Sequence, residues 1–183
     1  MSPIDHISKA VGKLTKKYQT RDPYELCDAL DIRIRLMDLE TDIKAYYFCQ
    51  SRIRTIVLNS RVLEPIRNIL VAHELGHDRL HKKIAMLKGF QELELFNMVL
   101  PTEFEANIFA AELLIKDEEV IELLNDSEKS FFDVAREFGV PAPLLDFKFR
   151  ILKNKGYRIE PLYMTNGDFL KDGIGECFEV ESY

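Results

Sequence analysis

Apolar residues recur along the N-terminal stretch at Ile4, Ile7, Val11, Leu14 and Tyr18, intervals of three and four that place one stripe along one side of a helix. The stripe predicts a docking face for the rest of the molecule. Asp22-Pro23 reads as a cap and first-turn proline opening a short helix with Tyr24, Cys27 and Leu30 inward. Ile32, Ile34 and Leu36 alternate with Arg33 and Arg35, the pattern of a half-buried strand. Two more runs, 43–49 and 53–58, are rich in β-branched and aromatic residues and are separated by Gln50-Ser51-Arg52. They are expected to pair antiparallel in a small sheet.

Asn59-Ser60 ends the last strand, and Pro65 suits the first turn of a helix carrying Ile66, Ile69 and Leu70 on the side that continues into His73 and His77. Residues 82–100 signal weakly, with Gly89-Phe90 read as a loop and 93–100 ambiguous. Pro101-Thr102 opens the helix TEFEANIFAAELLIK, an acidic helix follows near 117–124, and a Ser127 cap introduces 131–138. After the sequence GVPAP comes a last helix near 144–152. Beyond Gly156, glycines 167, 173 and 175 among polar residues predict an irregular or loosely stranded tail.

Composition narrows the class. A chain of 183 residues, 46% hydrophobic and 31% charged, is long enough to bury a core and has the balance of a soluble globular protein. Its net charge of -6 argues against a partner held through nucleic-acid phosphates. Cys27, Cys49 and Cys177 are few and odd in number and form no C-x-x-C pair, so neither a disulfide framework nor a thiolate knuckle is indicated. The N-terminus carries charges throughout, unlike a signal peptide, and no run is long enough to span a bilayer. The cytoplasm is the expected location.

Chemistry enters at VAHELGHDRLH. His73 and His77, four residues apart, lie one above the other on a helix and can grip one metal ion, and Glu74 can reach a water on it. Two imidazoles and a carboxylate base make most of a hydrolytic zinc centre, which usually needs a third protein ligand. His81, one turn further on, would put three ligands in line, a poor tetrahedral arrangement. It is read instead as a residue behind the site or lining its pocket, or as a partly exposed one.

The helix after Pro101 offers Glu103 and Glu105. At about 100° per residue, Glu105 falls with Glu112 and Lys116 on a polar face that reads as solvated. Glu103 falls with Asn107, Ala110 and Leu114, beside Ala106, on a small-residue face suited to a neighbouring helix. A buried carboxylate is costly unless paired or bound to a metal, so Glu103 is the expected third ligand. Asn107, one turn on, can accept a hydrogen bond from a ligating histidine or make an ordinary interhelical bond. Gly76, costing about 1 kcal/mol in a helix relative to alanine, predicts a close approach there.

VAHELGHDRLH together with EFEANIFAAELL resembles the ImmA/IrrE family of HExxH metallopeptidases. The match runs in order from Asp22-Pro23-Tyr24 through TIVLNS to about Leu114, somewhat more than half the chain. The resemblance implies a zinc-dependent endopeptidase of gluzincin-like geometry, often borne by phages and conjugative elements, that cleaves a cognate DNA-binding repressor in the cytoplasm. It puts His73, His77 and Glu103 on the metal and makes Glu74 the base. The family also commonly has a helix-turn-helix-like segment, which VAREFGVPAPLLDFKFRIL is similar to. Leu144, Leu145, Phe147 and Phe149 crowd its second helix, so it is read as a helical hairpin packed on the core. The chain departs from the family pattern at Lys116-Asp117, where a proline often follows the leucine pair.

The expected fold is α+β: a zincin-like helical core with a small antiparallel sheet (1–125), a helix-turn-helix-like extension (126–155) packed on it, and a tail (156–183). Tyr46 or Tyr47 could donate to an oxyanion or border an extended peptide, though core packing is the commoner role for strand aromatics. Two rival functions are a zinc-containing module that binds a repressor without cutting it, and a DNA-binding regulator using 134–152. The intact Glu74 argues against the first, since a structural metal site needs no base. Acidity argues against the second.

Overall fold

The structure, a computed structural model, describes residues 2–40, 43–82, 100–124 and 130–159. Helix α1 (Pro3–Tyr18) carries the predicted stripe and buries Ile7, Val11 and Leu14. Ser2 caps it in a reciprocal box with Asp5, and Gln19 ends it in the left-handed region. Helix α2 (Pro23–Ala29) is capped by Asp22, whose side chain accepts from the Tyr24 and Glu25 amides. It buries Pro23, Leu26 and Cys27. Tyr24, expected inward, is exposed, because so short a helix presents one narrow side and Leu26 with Cys27 fills it.

Three strands follow, β1 (Ile32–Met37), β2 (Ala45–Gln50) and β3 (Ile53–Asn59), in the spatial order β1-β3-β2. The hairpin β2–β3 pairs antiparallel as expected, with Tyr47 opposite Ile56, but β1 lies parallel to β3, with Ile34 opposite Ile56. The sheet is therefore mixed, not antiparallel. Seven residues between β1 and β2 let the chain carry β2 to the far side of β3 and leave β1 beside it. Ser51 and Arg52, both at positive φ, close the hairpin. β1 is an outer strand with Arg33 and Arg35 exposed, charges that discourage edge-to-edge pairing.

Helix α3 (Glu64–Leu80) packs against β2, β3 and α2, and most extensively against α4 (Pro101–Leu114). From Ile69 to Asp78 every residue of α3 is buried. Helix α4 buries most of its circumference, as a central helix must, and touches α1, α3 and α7 (Ala142–Asn154). Its C-terminal carbonyls at Glu112 and Leu113 accept from Arg21 Nη1. Helices α5 (Asp117–Leu124) and α6 (Phe131–Glu137) precede α7. The N-cap of α6 is Ser130, in a capping box with Asp133. The expected Ser127 cap, the loop at Gly89-Phe90, the stretch 93–99 and the tail from residue 160 lie outside the described residues.

The hairpin α6–α7 turns at Gly139, where φ is +61°, and α7 lies on α1 and α4 with Leu144, Leu145, Ile151 and Leu152 buried. A buried ion network fixes it there. Lys148 Nζ, fully buried, lies 2.6 Å from Glu112 Oε2 and 2.5 Å from Asp117 Oδ1, and Lys155 Nζ lies 2.7 and 2.6 Å from the same two carboxylates. Glu112 is thus only 5% exposed, which corrects its expected place on a solvated face. Burial raises the Asp117 pKa, but the hydrogen bonds from Lys148 and Lys155 outweigh it and hold that carboxyl below its ordinary value.

Candidate metal centre

Helices α3 and α4 meet where both present small residues. A Cβ on Gly76 would lie 3.2 Å from Ala106 Cα and 3.3 Å from Ala106 O, so the glycine answers the expected close approach. That contact sets His73 and His77 opposite Glu103, one turn ahead of Ala106 on α4.

The three side chains close a triangle. His73 Nε2 lies 3.2 Å from Glu103 Oε2, His77 Nε2 lies 3.4 Å from Glu103 Oε1, and the two Nε2 atoms are 3.1 Å apart. Tetrahedral zinc with bonds of about 2.0–2.1 Å has ligand–ligand edges of about 3.3 Å, so the residues fit such an ion without rearrangement. All three are buried. His73 Nδ1 faces Asn107 Oδ1 at 2.9 Å, the bond that turns the imidazole's other nitrogen inward.

Electrostatics agree with a cation between them. Glu103 is raised by burial, but its contacts with His73 and His77 outweigh it and bring its pKa down to about 2. Burial lowers His77 to about 4, with Glu103 opposing. His73 is also opposed by burial, yet the bonds and charges of Glu103 and Glu74 raise it.

Glu74 stands apart. It is completely buried, neither carboxylate oxygen completes a hydrogen bond among the described residues, and burial pushes its pKa up to about 8, with the His73 charge and the approaching Tyr47 backbone N–H opposing. A buried carboxyl without a partner is costly and is kept where a ligand or reaction needs it.

His81 caps the C-terminus of α3 and is buried, not partly exposed. Its Nδ1 lies 3.1 Å from His77 Nδ1, and its Nε2 lies 2.9 Å from Glu105 Oε2. Glu105 is therefore a partner of the site and not a free surface acid. Tyr47 is 1% exposed and its hydroxyl donates to Asp78 Oδ1 at 2.8 Å, so it is committed to the core and not free to serve an oxyanion. Tyr46 is half-buried and stacks on Phe48. What β2 brings to the site is backbone: it is an outer strand, and its Tyr47 N–H approaches Glu74.

Sequence reading missed Asp78. It is 1% exposed beside His77 and gathers Tyr47 from β2 and Arg54 Nη1 from β3, at 3.3 Å. Arg54 Nη2 in turn donates to the Leu30 carbonyl at the end of α2. One acid thus ties the metal helix to sheet and α2. An aspartate at helical spacing from the apolar Val71 and Leu75 was the available signal.

A family model described as IrrE N-terminal-like domain, of the M78 peptidases, matches residues 27–150. The chain belongs to the ImmA/IrrE family. Among relatives of this ImmA/IrrE chain, "Uncharacterized immunity region protein 2" of Bacillus phage phi105 is 38% identical over 146 residues, 80% of this chain and 90% of that protein. "Metallopeptidase ImmA" of Bacillus subtilis (strain 168) is 27% identical over 154 residues, 84% of this chain and 89% of that one. Membership of this peptidase family, with a buried His-His-Glu group that could hold a metal, supports a metallopeptidase role for the ImmA/IrrE chain. No described helix is long and apolar enough to cross a membrane.

Proposed function

We propose that the chain is a zinc-dependent endopeptidase that cleaves a regulatory protein, a cognate DNA-binding repressor, in the cytoplasm. The observation that carries this reading is the unpartnered, buried Glu74 carboxyl beside a closed His73–His77–Glu103 triangle. A purely structural metal site has no use for such a group. The names of the two relatives, one from a phage immunity region and one a metallopeptidase, favour a mobile-element setting and a proteolytic step.

When bound by His73, His77 and Glu103, zinc supplies Lewis acidity toward the scissile carbonyl and acidifies a water. Glu74 takes the proton of the attacking water and delivers it to the leaving amine, roles suited to a buried carboxyl beside the metal ligands with no other partner among the described residues. Asn107 holds His73 with Nε2 inward. The outer edge of β2, unpaired among the described strands, can receive the substrate as an extended strand through backbone hydrogen bonds, with Tyr46 beside it. In this reading residues 1–125 form the peptidase core, and the hairpin within 126–155 braces it without contacting DNA.

The test is incubation of the zinc-loaded wild type and Glu74→Gln with the repressor encoded beside the chain. Cleavage by the wild type and none by Glu74→Gln, at equal zinc content, is expected. Cleavage that survives Glu74→Gln would sink the mechanism.

A further inference from the structure

His77 has a partner at each ring nitrogen, Glu103 of α4 on one side and His81, the C-cap of α3, on the other. Its Nε2 faces Glu103, and its Nδ1 faces His81 Nδ1 at 3.1 Å, whose Nε2 meets Glu105 Oε2 at 2.9 Å. A carboxylate only accepts, so a His81 ring with a single proton carries it on Nε2 and offers Nδ1 as an acceptor. His77 must then donate from Nδ1, which leaves its Nε2 lone pair pointing into the triangle. We propose that His81 and Glu105 are positioning residues, a hydrogen-bond relay that fixes His77 in the tautomer able to bind metal through Nε2.

Three features make the relay more than packing. His81 is 6% exposed at the last turn of α3, where a ring nitrogen without a partner would be costly. Glu105 is two residues from Glu103 on one rigid helix, so a single element sets the ligand and the relay's far end together. The two metal-facing histidines also receive different support: His73 meets a neutral amide at Asn107, and His77 is linked through His81 to a carboxylate. A carboxylate behind a ligating histidine raises its basicity as well as setting its tautomer.

The inference rests on the metal reading above, and the experiment separates the two. Nitrogen-15 correlation spectra of the metal-free protein report directly which His77 nitrogen carries the proton, and chelator competition reports zinc affinity. Wild type is expected to show His77 protonated at Nδ1. His81→Phe, which keeps a ring but no acceptor, should lose that tautomer and weaken zinc by about 10–100-fold. Glu105→Ala should weaken it by about 10-fold, and Glu105→Gln, which can still accept from His81, should recover most of the loss. A merely structural role would make affinity follow melting temperature, with the alanine and glutamine variants alike. Wild-type zinc affinity and an unchanged His77 tautomer in His81→Phe would overturn the relay. If wild type binds no zinc, the metal reading fails and the tautomer spectra still judge the relay.

Discussion

Gly76→Ala tests the helix contact on which the centre is built. The added methyl would sit 3.2 Å from Ala106 Cα, 3.2 Å from Phe109 Cβ and 3.3 Å from Ala106 O. Carbon atoms rest at about 3.5–4.0 Å, and these neighbours are backbone or the first carbon of a buried ring, so α3 and α4 must part by a few tenths of an ångström. Alanine gains about 1 kcal/mol of helix propensity, whereas overpacking costs about 1–3 kcal/mol. The balance runs from zero to about 2 kcal/mol of destabilisation. At about 2–4 °C per kcal/mol for a chain of this size, the melting temperature falls by up to about 8 °C. Glu103 moves with Ala106, so zinc affinity should fall as well. Gly12, exposed in α1 with nothing within 4 Å of its would-be Cβ, supplies the control: Gly12→Ala should gain about 0.5–1 kcal/mol. Calorimetry and zinc titration of both variants decide the matter. A Gly76→Ala protein that melts above wild type and binds zinc equally well would refute the close-contact argument.

Asp78→Ala strands Arg54 and the buried Tyr47 hydroxyl and should cost about 3–5 kcal/mol in urea unfolding; Tyr47→Phe, which leaves Asp78 its arginine, should cost about 1 kcal/mol. Lys148→Ala leaves two carboxylates facing each other with only Lys155 between them and should cost about 3–5 kcal/mol by the same assay. Asp117 has a folded pKa below its unfolded value, so its stabilisation is present above about pH 4 and is lost as the pH falls through the folded value. Asp117→Asn should therefore be less stable than wild type at pH 7, with the gap narrowing toward pH 3; a gap independent of pH would contradict the assignment.

What the sequence revealed was what local periodicity encodes. The stripe on α1, the hairpin β2–β3 and the His73–His77 pair all depend on residues within a few positions of one another, and the helical wheel separated Glu103 from Glu105 by direction. A wheel cannot say what stands opposite each direction. Glu105 faces His81 from another helix, and Glu112 faces Lys148, which lies 36 residues away, so two acids expected in solvent are bonded. The parallel placement of β1 is of the same kind, a pairing between strands more than 20 residues apart that local alternation does not encode. Of the two places open to His81, behind the site or partly exposed, packing selects the first: it is buried against His77.

Metal stoichiometry tests the central claim most directly. Wild type purified without chelator should carry one zinc per chain, and Glu103→Ala, folded by circular dichroism, should carry almost none. A metal-free wild type, or a Glu103→Ala protein that retains zinc at wild-type affinity, would contradict a centre shared between α3 and α4.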